Sequence, residues 1–145
     1  TIQTIIDDLV GEPSGNNLLD LMLHNGKKIY LKKKFLPTTN DTLIYEYNAN
    51  QMKWVEENEL EIWSFFIDQN LMYESTFSKI NKYVNPSPNS PGMPNEAPGK
   101  TANYIGYKII ESYMDKFPDT DLKDLVQMND SKMILELSKY KPKRK

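Results

Sequence analysis

Apolar residues return at three- and four-residue intervals along most of the chain, the period of a helix buried on one face. Ile2, Ile5, Ile6 and Leu9 set this pattern in a first short stretch, Thr1 to Val10. The run from Gly11 to Gly15, with Pro13 inside it, breaks the stretch. A second helix is expected from about Leu18 to Leu36, capped by Asn16 or Asn17 and stopped by Pro37. Lys32, Lys33 and Lys34 fall in its last turns, where cations complement the helix dipole.

Thr38 to Asn48 reads as a loop containing a short extended segment, Leu43 to Tyr47, because β-branched and aromatic residues suit such a piece. A long helix is expected next, capped by Asn48 or Asn50 and running to about Asn70, then another from about Ser75 to Val84. The segment from Asn85 to Lys100 carries Pro86, Pro88, Pro91, Pro94 and Pro98 with Gly92 and Gly99. Prolines remove donors and fix φ, so neither helix nor inner strand fits there, and a long surface loop is expected. Pro88, Pro91, Met93 and Pro94 make it a candidate interaction loop, since irregular segments of this length are uncommon and often functional.

Thr101 to Phe117 is the most strongly periodic helix, with Ile105, Ile109 and Tyr113 along one face. Gly106 inside it costs about 1 kcal/mol against alanine, which a close helix crossing would offset. Pro118 ends this helix. Asp119, Thr120 or Asp121 starts a short one to Met128, and Asp130 caps a last one to about Leu137. A basic tail, Lys139 to Lys145, closes the sequence. The expected fold is therefore mainly α, a single domain over residues 1–145.

Composition narrows the function. The hydrophobic fraction of 39% is that of a globular chain with a real core. A net charge of −2 gives no reason to expect nucleic acid as a partner. Without cysteine there is neither disulfide framework nor thiolate chemistry, which leaves the compartment open. No apolar run is long enough to span a bilayer and no signal peptide opens the chain. A start at Thr1 without methionine reads as a processed or partial chain.

The single histidine removes most catalytic constellations, and neither a phosphate loop nor a dinucleotide fingerprint is present. His24 lies away from the Leu18, Met22 and Ile29 face, as an ordinary surface histidine would. In a His-Glu-x-x-His zinc helix two imidazoles one turn apart share a metal, and the glutamate between them works on the attacking water. Here Asn25 stands at the glutamate position and Lys28 at the second histidine. An amide cannot take the proton and an ammonium cannot ligate zinc, so no metal and no cofactor are expected.

One carboxylate stands out. At about 100° per residue, Met52, Val55, Ile62, Trp63 and Phe66 share a helix face, and Glu59 falls in its middle. Glu57 and Glu61 fall opposite. A buried carboxylate needs a partner, such as a lysine, a tyrosine or a backbone amide. Glu59 also reads as a ligand or a relic of a polar site.

Several segments together resemble the C-terminal half of the gliding-motility lipoprotein GldB family of Bacteroidota. They are Asn17 to Met22, Gly26 to Leu31, Phe35 to Pro37, Gln51 to Glu59 with Glu61 to Trp63, Ala97 to Lys100, Ile105 to Ile110 and Ser112 to Met114. Their order and spacing cover most of the chain. The family is in turn similar to a group of predicted zinc peptidases. The resemblance implies a zinc-peptidase-like helical fold with degenerate metal positions at His24, Asn25, Lys28 and Glu59. It also implies that Lys28 faces Glu59, an ion pair standing where a metal bridge was. A lipidated N-terminal cysteine and a preceding half-domain, neither in this chain, are implied as well. The expected function is that of a non-catalytic, membrane-anchored component on the periplasmic side of the cell envelope. Its expected partners are other proteins of the gliding and associated secretion machinery. The alternatives are an active zinc metallopeptidase completed by residues outside this chain, and a general envelope interaction module.

Overall fold

The computed structural model describes residues 1–144. Every regular element among them is helical: α1 (Ile2–Val10), α2 (Leu18–Phe35), α3 (Asp41–Tyr45), α4 (Ala49–Glu57), α5 (Glu59–Asp68), α6 (Phe77–Val84), α7 (Thr101–Lys116), α8 (Leu122–Gln127) and α9 (Ser131–Ser138). The starts follow their caps. Asn17 and Asp20 form a reciprocal box at α2, with the Asp20 N–H donating to Asn17 Oδ1 at 2.8 Å. Asn48 and Gln51 do the same at α4. Asp121 and Asp130 cap α8 and α9.

Helix α7 is buried on most of its circumference and runs through the centre. Its most extensive partner is α2, with α9, α6 and α5 around the remainder. The α2–α7 crossing is made by two glycines. A Cβ on Gly106 would lie 1.9 Å from the Met22 carbonyl oxygen, and one on Gly26 would lie 2.4 Å from the Gly106 carbonyl carbon. The backbones meet there without side chains between them, which is the close crossing that compensates a glycine inside a helix. On the far flank of α2, Ile6, Val10 and Leu31 form a small separate cluster closed by Leu122 and Val126, so α1 and α8 pack there.

The chain departs from the sequence expectations in three places. Leu43 to Tyr47 is not extended, because Asp41–Tyr45 is helical. The Asn40 side chain accepts the Thr42 N–H at 2.9 Å, and burial of Ile44 and Tyr45 overrides their weak strand preference. The long helix expected up to Asn70 breaks at Asn58, whose side-chain amide donates to the Trp54 carbonyl at 2.8 Å and competes with the backbone ladder. The proline-rich segment has no regular structure, but it is not wholly superficial. Ser90, Ala97, Pro98 and Gly99 are buried, because the loop folds back on the start of α7. Ser90 Oγ donates to the Pro98 carbonyl at 2.6 Å, and the Tyr83 and Tyr47 hydroxyls donate to the Pro91 and Gly99 carbonyls at 2.6 Å each.

Candidate functional site

The positions that resemble a zinc helix do not converge. Helix α2 carries His24, Asn25 and Lys28, but each meets different neighbours. His24 is half-buried and lines a cavity of about 200 Å³ with Asp20, Lys27, Met128 and Ser131. Asn25 Nδ2 donates to Asn103 Oδ1 at 2.9 Å and to the Val84 carbonyl at 3.3 Å. Lys28 pairs with Asp7 of α1 at 3.1 Å. Glu59 lines a separate cavity with Lys108, Glu111 and Tyr140. Among the described residues no three histidine, cysteine, aspartate or glutamate side chains come together around a metal-sized space. With Asn25 tied to a carbonyl and Lys28 tied to an aspartate, this donor set does not fit zinc.

His24 is neutral at physiological pH. Burial, then Lys28 and Lys27, lower its pKa from 6.5 to about 4. The unfolded chain therefore binds the extra proton first as pH falls, so stability declines from about pH 6.5 down to about pH 4 and levels off below. Being the chain's one histidine, it gives a single set of ring signals in an NMR titration. These are expected to move near pH 4, and His24→Gln is expected to flatten that share of the pH dependence. A midpoint near 6.5 would contradict the burial of the ring.

Glu59 is 1% exposed, whereas Glu57 and Glu61 are exposed. The apolar face expected around it is present: Met52, Val55, Ile62 and Phe66 are buried and Trp63 is partly so. Its partner is not Lys28, which α2 turns toward α1. It is Tyr140, whose hydroxyl donates to Glu59 Oε2 at 2.7 Å. Glu59 Oε1 is buried without a protein partner. Burial, and then Glu59 itself, hold the Tyr140 hydroxyl well above the ordinary phenol range, so it stays a donor. Tyr140 reaches this place because Lys139 adopts a left-handed turn (φ 52°) after α9, and its ring then stands edge-on to Trp63 at 5.3 Å. Ser112 Oγ fastens the turn by donating to the Ser138 carbonyl at 2.7 Å. The expected basic tail thus includes a half-buried anchor. Its last residue, Lys145, lies outside the described residues.

A further polar assembly went unseen in the sequence. Asn25 and Asn103 both donate to the Val84 carbonyl, tying α2, α6 and α7 together. Beside them opens a cavity of about 210 Å³, lined also by Lys28, Lys32, Tyr45, Glu46, Tyr47 and Lys100. Asn103 carried a signal, as a lone amide on the otherwise apolar start of α7. In the proline-rich loop, Pro88 and Pro94 are exposed while Pro91 and Met93 are half-buried, and Met93 packs on the core.

Comparisons with curated proteins and with solved structures returned no match. The family model described as gliding motility protein GldB matches residues 1–142, almost the whole chain. The chain belongs to the GldB family of gliding motility proteins.

Proposed function

We propose that this chain works as a non-catalytic component of the gliding machinery and its associated secretion system, acting by contact with other proteins of that assembly. In this reading an N-terminal lipid holds the full-length protein on the periplasmic side of the membrane. No described helix is long and apolar enough to cross a membrane. The observation that carries the proposal is the dispersal of the peptidase-like positions. The Asn25 amide, the Lys28 ammonium and the Glu59 carboxylate each serve a structural contact of their own. Asn25 and Lys28 border one cavity, His24 a second and Glu59 a third, so the four do not meet around a water. The exposed apolar pair Ile5 and Leu9, one turn apart on α1 and each about half exposed, adds a surface suited to a protein partner.

The test is complementation of a strain lacking the full-length protein. His24→Gln is expected to restore gliding fully. Ile5→Asp combined with Leu9→Asp is expected to abolish it at unchanged protein level. Loss of gliding in His24→Gln, again at unchanged level, would support a metallopeptidase and overturn the non-catalytic reading. Normal gliding in the double aspartate variant would remove α1 as the contact surface.

A further inference from the structure

The 210 Å³ cavity between α2, the turn after α3 and the start of α7 has no part in the contacts proposed above. Its walls carry three lysines, Lys28, Lys32 and Lys100, against a single carboxylate, Glu46. The fold holds Lys100 firmly. Its backbone is left-handed (φ 62°), its ammonium donates to the Tyr45 carbonyl at 2.8 Å, and the same group lies 5.2 Å from the centre of the Tyr47 ring.

None of these ammonium groups is saturated by its protein partner. Lys28 has Asp7 at 3.1 Å, Lys32 donates to Gln3 Oε1 at 3.2 Å, and Lys100 has the one carbonyl. Each ammonium offers three donors, so donors are left over at each. The Asn25–Asn103–Val84 network uses one of the two Asn103 amide hydrogens. Helix α7 begins on the same cavity with no side chain capping its first turn, so the positive end of a 16-residue helix adds to the lysines. Burial lowers the Lys100 pKa, Glu46 opposes this, and Lys32 lowers it further. Like charges have thus been brought together around a space with too little negative charge to balance them. An apolar ligand would leave those donors unanswered, and a cation would be repelled.

The geometry points to a binding site for a small oxyanion, a carboxylate or phosphate group, held by Lys32, Lys100 and the Asn103 amide. The site is independent of the protein contacts proposed above, and it stands or falls without them. A carboxylate would come from a peptide end or a small organic acid, a phosphate from an inorganic or esterified source.

The experiment is an NMR titration of the chain with sodium phosphate, with sodium acetate, and with a short peptide carrying either a free or an amidated C-terminus. Ionic strength is held constant with chloride. Saturable shifts confined to the backbone amides of Lys32, Lys100, Asn103 and their neighbours are expected. The arm with the tightest binding identifies the source, and a free-acid peptide that binds where its amide does not assigns a carboxylate. Lys100→Met is expected to weaken binding about tenfold, the loss of one charge-assisted hydrogen bond. Lys32→Met, which gives up only the Gln3 contact and leaves the loop intact, is expected to do the same. Lys53→Met, on the exposed surface of α4, is the control and should change nothing. Shifts that never saturate in any arm overturn the proposal. So does binding that Lys32→Met leaves as tight as in the parent chain, or that Lys53→Met weakens equally.

Discussion

Gly106→Ala is expected to melt roughly 10 °C below the parent chain, a loss of about 3 kcal/mol at the few degrees per kcal/mol typical of a chain this size. Alanine in a helix interior ordinarily gains about 1 kcal/mol over glycine. Here the new methyl would sit 1.9 Å from the Met22 carbonyl oxygen and 2.6 Å from its carbon. Both are backbone atoms of α2, so no rotamer change relieves the clash. The two helices must separate, and the contacts along their interface loosen with them. Overpacking against mobile side chains costs about 1–3 kcal/mol, and a rigid backbone puts this site at the upper end of that range. Gly26→Ala meets the Gly106 and Tyr107 backbone from the other side and should behave alike. Thermal unfolding by circular dichroism decides the matter. An unchanged or raised midpoint in both variants would mean that the crossing is wider than described.

Tyr140→Phe is expected to destabilise the chain by about 3 kcal/mol, far more than loss of a surface hydroxyl, because it leaves a buried carboxylate with no partner. Glu59 Oε2 has the Tyr140 hydroxyl as its protein partner and Oε1 has none among the described residues. The decisive comparison is with Glu59→Gln. Adding that change to Tyr140→Phe should recover much of the lost stability, because a neutral amide is cheaper to bury than an unpaired charge. Urea denaturation of the four chains completes the cycle, read as shifts in midpoint at constant slope. Equal midpoints for Tyr140→Phe and the parent chain would show that Glu59 draws its support from elsewhere.

What the sequence revealed, and what it hid, follows from the range of the interactions. The extents of α2 and α7 were readable within a residue, since their caps and stops are local and their apolar periods long. The burial of Glu59 was readable too, although the helix breaks at Asn58. The Ile62 N–H still donates to the Asn58 carbonyl at 2.9 Å, so α5 keeps the angular register of α4 closely enough for the face to hold. The partner of Glu59 was not readable. A helical period says which residues share a face but not which helix that face meets, and α2 presents Lys28 to Asp7 of α1. Tyr140 follows the last helix among lysines, where composition suggests a solvated tail, and only the turn at Lys139 brings it inward. The amide network failed to show for the same reason. Asn25, Val84 and Asn103 are distant in sequence, and nothing local marks them as one assembly.

The Gly26–Gly106 crossing also bears on how the chain reaches its native state. All-helical domains usually fold fast because most of their contacts are between sequence neighbours. In this chain the principal helix pair is α2 with α7, and everything from α3 through the proline-rich loop lies between them. A long closure must therefore be made before the largest interface contributes anything, and its entropy is spent in advance. Because the two glycine surfaces fit only when the backbones are in contact, partial approach gains little. Folding limited by the meeting of α2 and α7 is the expected consequence, and Gly106→Ala should then slow refolding as well as lower stability, as read by stopped-flow kinetics.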